Sequence, residues 1–182
     1  MESGLHFDLV LKNLARYNRC TMSKLSAGLS VPDFSLDSTL GKKISPLDFR
    51  GKWTVLYFYP KDDTSGCTKE ACGFRDAIAE YRKRGVEIYG VSGDDLPSHE
   101  KFVSKYRLPF PLLSDPSHEM LEDFGVWVEK SMYGKSYMGI SRTTFVVDPD
   151  GRVAKIFEGV DPDGHADEIL KYLDTVRSDW SI

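Results

Sequence analysis

Apolar positions along the chain fall into short runs with two different spacings. Trp53-Thr-Val-Leu-Tyr-Phe-Tyr59 is a near-continuous apolar and aromatic run of strand length, and Pro60 stops it. Such a run predicts a central strand covered on both faces. Val86 to Val91 predicts the next strand and Phe110 to Leu113 a short one. Pro32 to Leu36 reads as an entry strand, with Gly41-Lys42 as a hairpin turn leading to Ile44. Thr143 to Val147 and Val153 to Phe157 predict a hairpin across Asp148-Pro-Asp-Gly151, a strong turn signal.

Between these runs the apolar spacing changes to three and four residues. Ala71, Phe74, Ile78 and Tyr81 predict one helix from Thr64 or Ser65 to Arg84, with Gly85 as its stop. Phe102, Val103 and Tyr106 mark the apolar face of a helix over Pro97 to Tyr106, and a short helix covers Ser117 to Phe124. Ala166, Ile169, Leu170 and Leu173 face inward on a last helix, from Asp163 or Gly164 to Val176. From Gly125 to Gly139 the period is lost, which predicts a loop over one end of the sheet. The order of elements implies an α/β protein with a mixed central sheet flanked by helices on both faces. That is a thioredoxin-like fold, although the periodicity alone also permits a small flavodoxin-like sheet.

A length of 182 residues implies one domain with a core that needs no staples. The net charge of -4, with no basic stripe carrying interleaved aromatics, argues against nucleic acid as a partner. The longest apolar stretches are too short to span a bilayer, so no membrane association is expected. Three cysteines are too few for a disulfide scaffold, and the odd count leaves a free thiol, which suits a reducing cytoplasmic compartment. Residues 1–23 read as a peripheral or disordered extension and residues 24–182 as the domain. The extension is a weak secretory signal, because Asp8 and Lys12 interrupt its apolar cluster; Arg16, Arg19 and Lys24 leave an organellar presequence as the alternative. Met22 is a candidate alternative start, and Cys20 in this arm is given no catalytic role.

Chemistry concentrates in Pro60-Lys-Asp-Asp-Thr64-Ser-Gly-Cys67-Thr-Lys-Glu-Ala-Cys72. The strand ending at Tyr59 delivers this loop to the carboxyl edge of the sheet, where α/β folds place their sites. Thr64 or Ser65 is expected to cap the following helix, putting Cys67 in the first turn. Free amide hydrogens and the positive end of the helix dipole favour a reachable thiolate there. Gly66 would let the backbone approach a small ligand closely. Cys72 is a second thiol on the same segment. On an intact helix, however, a five-residue step rises about 7.5 Å and turns about 140°. The two Cα atoms would then stand roughly 8 to 9 Å apart with diverging side chains, beyond disulfide reach. A bond between them therefore requires the first turns of the helix to unwind.

Arg142 is the second candidate, because it directly precedes the strand Thr143 to Val147 and a firm scaffold could aim it into a site. A fixed cation beside a thiolate stabilises it and polarises a bound oxygen. A surface arginine is the alternative, since the sequence does not show which strand lies beside it. Metal binding is a weak rival: zinc wants about four ligands, and no second cysteine pair or Cys-His cluster is present. His6, His99, His118 and His165 are scattered and read as surface or capping residues. No glycine-rich dinucleotide or phosphate loop occurs, so no cofactor is expected.

The block Tyr57 to Cys72 resembles the active-site segment of peroxiredoxins, and within them the bacterioferritin-comigratory or peroxiredoxin Q group. That family's motif of Pro, three residues, Thr, two residues, Cys falls on Pro60, Thr64 and Cys67, and Cys72 matches the resolving cysteine that part of the group carries. Pro32-Asp-Phe34, Phe110-Pro-Leu-Leu-Ser-Asp115, Gly125-Val-Trp127, Met132-Tyr-Gly-Lys135 and Arg142 to Asp148 match as well. The resemblance spans about residues 24 to 176 and leaves the arm before Met22 outside. It implies that Cys67 attacks hydrogen peroxide or a small organic hydroperoxide and becomes a sulfenic acid. Thr64 and Arg142 would hold and polarise the peroxide, Pro60 would shield the sulfenic acid, and Cys72 would condense with it. Thioredoxin or a similar dithiol would reduce the resulting Cys67–Cys72 disulfide. The group implies a monomer, with a dimer as the alternative.

Two rival readings share the fold. A disulfide oxidoreductase acting on protein dithiols usually carries cysteines two residues apart, whereas four residues separate the pair here and Thr64 precedes it. A redox-sensing or holdase-type protein would need no turnover.

Overall fold

The computed structural model describes residues 25–176. The 1–23 extension, with His6, Cys20 and Met22, therefore lies outside the described residues. A seven-stranded mixed sheet forms the middle layer. In chain order its strands are β1 (Leu36–Ser38), β2 (Lys43–Ile44), β3 (Trp53–Phe58), β4 (Val86–Ser92), β5 (Leu112–Ser114), β8 (Thr143–Val147) and β9 (Val153–Glu158). They lie side by side as β2-β1-β5-β4-β3-β8-β9. β3, β4 and β5 are parallel; β1, β2, β8 and β9 run antiparallel to their neighbours.

The apolar run of β3 is central, as its composition dictates, and alternation along it builds two cores. Val55 and Tyr57, with Tyr59 beyond the strand end, face one side. There they meet Ala71 and Phe74 of α1 (Ser65–Asp76) and Tyr81 of α2 (Ile78–Lys83). Phe102 of α3 (Leu96–Tyr106), and Ile169 and Leu173 of α5 (His165–Val176), complete this layer. Leu56 and Phe58 face the other side, against Phe49 of a 3-10 turn (Pro46–Phe49) and Met120 and Leu121 of α4 (Glu119–Asp123). Each fully buried Val, Leu, Ile, Phe or Met among them contributes about 1.5–3 kcal/mol by leaving water. Gly90 stands opposite Tyr57 across β3 and β4, and a Cβ there would lie 2.6 Å from the Tyr57 hydroxyl. Only glycine leaves room for that ring.

Three expectations change. The helix expected from Thr64 to Arg84 is broken at Ala77, which ends α1 and begins α2. The segment Gly125 to Gly139 is mostly not a loop: β6 (Trp127–Met132) and β7 (Lys135–Ile140) form a separate two-stranded hairpin. Tyr133 and Gly134 turn it with positive φ at both positions, the geometry of a type I′ turn. The entry strand begins at Leu36, where Pro32 to Leu36 was expected.

Candidate active site

β3 and β8 build the site between them. They are antiparallel with Phe58 opposite Thr143, so Arg142, one residue before β8, arrives beside the carboxyl end of β3. Residues 59–64 leave that end and lead into α1, with Cys67 as its third residue. Arg142 Nη2 donates to Cys67 Sγ over 3.3 Å. The alternative of a surface arginine is thereby set aside: its side chain is mostly buried. Cys67 itself is only 1% exposed, more enclosed than the reachable thiol expected, and it belongs to the cluster of Val55, Tyr57 and Phe74.

Gly66 has a different use from close approach to a ligand. A Cβ there would meet Arg142 Nη2 at 3.3 Å and Pro162 Cγ at 3.6 Å, so its bareness makes room for the guanidinium. Thr64 occupies the N-cap position in extended conformation, but its hydroxyl does not cap the helix. The hydroxyl donates instead to the carbonyl of Lys61 over 3.1 Å and closes the loop on itself. Pro60 is exposed at the start of that loop.

Cys72 is half-buried on the same intact helix, and both cysteines are free thiols. With α1 continuous from Ser65 to Asp76, regular helix geometry keeps their Cα atoms roughly 8 to 9 Å apart. The intact helix thus keeps the two thiols apart.

Glu70 belongs to the site and was missed. Its carboxylate is buried and accepts a hydrogen bond from Arg142 Nη1 through Oε2, while Oε1 is buried without a partner. Burial pushes this carboxyl up to about 7, against the opposing charge and hydrogen bond of Arg142. Its spacing held the signal: Glu70 is one turn after Cys67 and one before Phe74, on the buried face. Lys130 of β6 also lies within electrostatic reach; burial and the Arg142 charge push its ammonium down, and Cys67 pulls it up. Its Nζ donates to the Ile140 carbonyl over 2.5 Å.

Two histidines are not the surface or capping residues expected. His99 and His165 are buried, each with both ring nitrogens engaged. His118 stacks on Trp127 with ring centroids 4.0 Å apart. Among the described residues, no group of three or more His, Cys, Asp or Glu side chains is arranged to hold a metal ion, and no helix is long and apolar enough to cross a membrane.

A thiol under a guanidinium at a helix amino end suits attack on a small polar oxidant, and the comparisons point the same way. Residues 27–156 match the AhpC/TSA family. The putative peroxiredoxin bcp of Coxiella burnetii is 46% identical over 149 residues, covering 82% of this chain and 99% of that protein. Peroxiredoxin Bcp of Escherichia coli is 43% identical, covering 84% and 97%. Among solved structures, the Xanthomonas campestris bacterioferritin comigratory protein, studied for alkyl peroxide reduction, superposes with a TM-score of 0.78. It is 39% identical and the match covers 83% of this chain and 99% of that one. With the fold, the placement of Cys67 and this coverage in agreement, the chain belongs to the AhpC/TSA family, in its bacterioferritin-comigratory or peroxiredoxin Q group, and is a thiol peroxidase.

Proposed function

We propose that Cys67 is the peroxidatic cysteine, that Cys72 resolves it, and that Thr64, Arg142 and Pro60 complete the catalytic group. The contact between Arg142 Nη2 and Cys67 Sγ carries this reading. A guanidinium fixed there complements the thiolate, which is the nucleophilic form. The thiolate attacks the terminal oxygen of the peroxide, a sulfur–oxygen bond forms and the oxygen–oxygen bond breaks. Cys67 becomes a sulfenic acid, and the departing hydroxide or alkoxide takes a proton from water. Arg142, and the Thr64 hydroxyl once it turns from the Lys61 carbonyl, donate to the charge that grows on the leaving oxygen, where oriented donors act most strongly. Pro60, at the loop start, limits the access of water to the sulfenic acid.

The Cys72 thiolate then attacks the sulfenic sulfur, releasing hydroxide that is protonated to water and leaving a Cys67–Cys72 disulfide. That bond demands that the first turns of α1 unwind, which draws Cys67 away from Arg142. Thioredoxin or a similar dithiol reduces the disulfide by two exchanges. Hydrogen peroxide and small organic hydroperoxides are the substrates, the latter in keeping with the alkyl peroxide reduction of the Xanthomonas relative. The sparse cysteine usage supports a reducing cytoplasmic setting, and the family group supports a monomer, with a dimer as the alternative.

Peroxide consumption coupled to a thioredoxin system tests the assignment. Cys67→Ser abolishes it on this reading, and a variant with full turnover would refute it.

A further inference from the structure

A buried polar cluster lies behind the loop that carries Thr64 and leads to Cys67. Asp62, two residues before Thr64, turns its carboxylate into the protein, where only 5% of the side chain is exposed. Its Oδ1 accepts from the Tyr59 hydroxyl over 2.6 Å. Its Oδ2 faces His99 Nδ1 at 2.8 Å and accepts from the Ser98 hydroxyl, also over 2.8 Å. His99 Nε2 meets the Leu113 carbonyl at 3.1 Å. That carbonyl can only accept, so Nε2 carries a hydrogen. Nδ1 faces the Asp62 carboxyl, and one hydrogen held between the two completes the contact. His99 thereby ties the loop, through α3, to β5.

None of these groups touches the reacting sulfur, and such a cluster is expensive to bury in a segment that chain connectivity alone could have formed. Resting on the peroxidase reading above, we propose that His99 is a positioning residue for this reaction: by clamping Asp62 it holds Thr64 and the start of α1 in register with Arg142. Asp63 adds a second clamp to the same helix, in left-handed backbone conformation, with Lys105 and Tyr106 as partners. That clamp is exposed and screened, whereas the Asp62–His99 pair is dry. The loop thus stays fixed on α3 while the helix downstream unwinds, and the clamp serves the attack step and not the resolving step.

The pre-reduced full chain, mixed with hydrogen peroxide in a stopped-flow instrument, separates the two steps. Oxidation of Cys67 gives a first phase whose rate rises with peroxide, and disulfide formation gives a second that does not. His99→Gln keeps a polar group near the Nε2 position and loses the contact with Asp62; His99→Asn does the reverse. The first phase slows about 10- to 100-fold in His99→Gln, the scale of a small misplacement of reacting groups. His99→Asn recovers most of that rate, and the second phase is not slowed in either. A first phase at the wild-type rate in folded His99→Gln, or an equal loss in both variants, overturns the proposal. Should His99→Gln fail to fold by circular dichroism, Tyr59→Phe combined with Ser98→Ala strips Asp62 of two other donors. A wild-type first phase in that variant overturns the proposal equally. Absence of any Cys67-dependent oxidation in the wild type would instead refute the peroxidase reading itself.

Discussion

Arg142 serves Glu70 with one guanidinium nitrogen and Cys67 with the other, so a buried carboxylate one helical turn away sets where the sulfur's cation stands. Two parallel donors on a planar fork suit this division, and an ammonium cannot reproduce it. Arg142→Lys is expected to lower the second-order rate of peroxide reduction about 10²- to 10³-fold, the scale seen when one oriented donor is removed from a site. Rapid-mixing kinetics on the reduced protein checks this. A loss under threefold would mean that the guanidinium is not part of the chemistry.

Glu70 and His165 give the protein opposing pH dependences. Glu70 ionises near 4.5 in the unfolded chain and about 7 in the folded one. Between those values the folded state keeps a proton that the unfolded state has released. Its stabilising contribution is therefore full below about 4.5 and is lost as pH rises through about 7. The shift amounts to about 3 kcal/mol. Burial pushes the His165 imidazole below 6.5, although Glu168 pulls it up. Stability from His165 is thus present above 6.5 and lost as pH falls toward the folded value. Each substitution unmasks the other slope. Melting temperature should rise from pH 5 to 7 in Glu70→Gln and fall over the same range in His165→Asn. Curves for Glu70→Gln that overlay the wild type would contradict the account.

Gly66→Ala separates stability from activity. The residue is helical without positive φ, so alanine favours the helix by up to about 1 kcal/mol. The same methyl presses on Arg142 Nη2. We expect a melting temperature equal to or above the wild type, together with peroxide reduction slowed about 10-fold. Lost activity that tracked lost stability would contradict the steric argument.

The central architecture was legible because strand and helix periods are unambiguous in Trp53–Tyr59, Val86–Val91 and the hairpin around Asp148-Pro-Asp-Gly151. The hairpin β6–β7 was not: residues 131 to 138 are exposed on both faces, so no alternation records their pairing. The break at Ala77 was hidden because Ala71, Phe74, Ile78 and Tyr81 keep helical spacing across it. Cys67, Thr64 and Arg142 stood out by residue type and local motif, and the meeting of Cys67 with Arg142 came only with the register of β3 against β8. Glu70 and His99 were missed through a prior that charged and imidazole groups face water. His99 lies three residues before Phe102 and seven before Tyr106, on the apolar face of α3, and that placement was the available signal.

The most direct test is a non-reducing tryptic map after one equivalent of hydrogen peroxide. Trypsin cuts after Lys61, Lys69 and Arg75, which places Cys67 in the peptide 62–69 and Cys72 in the peptide 70–75. These two peptides should appear joined by a disulfide and be released by a reductant. Cys67 joined to the Cys20 peptide or to a second chain, or oxidised further while Cys72 stays a free thiol, would contradict it.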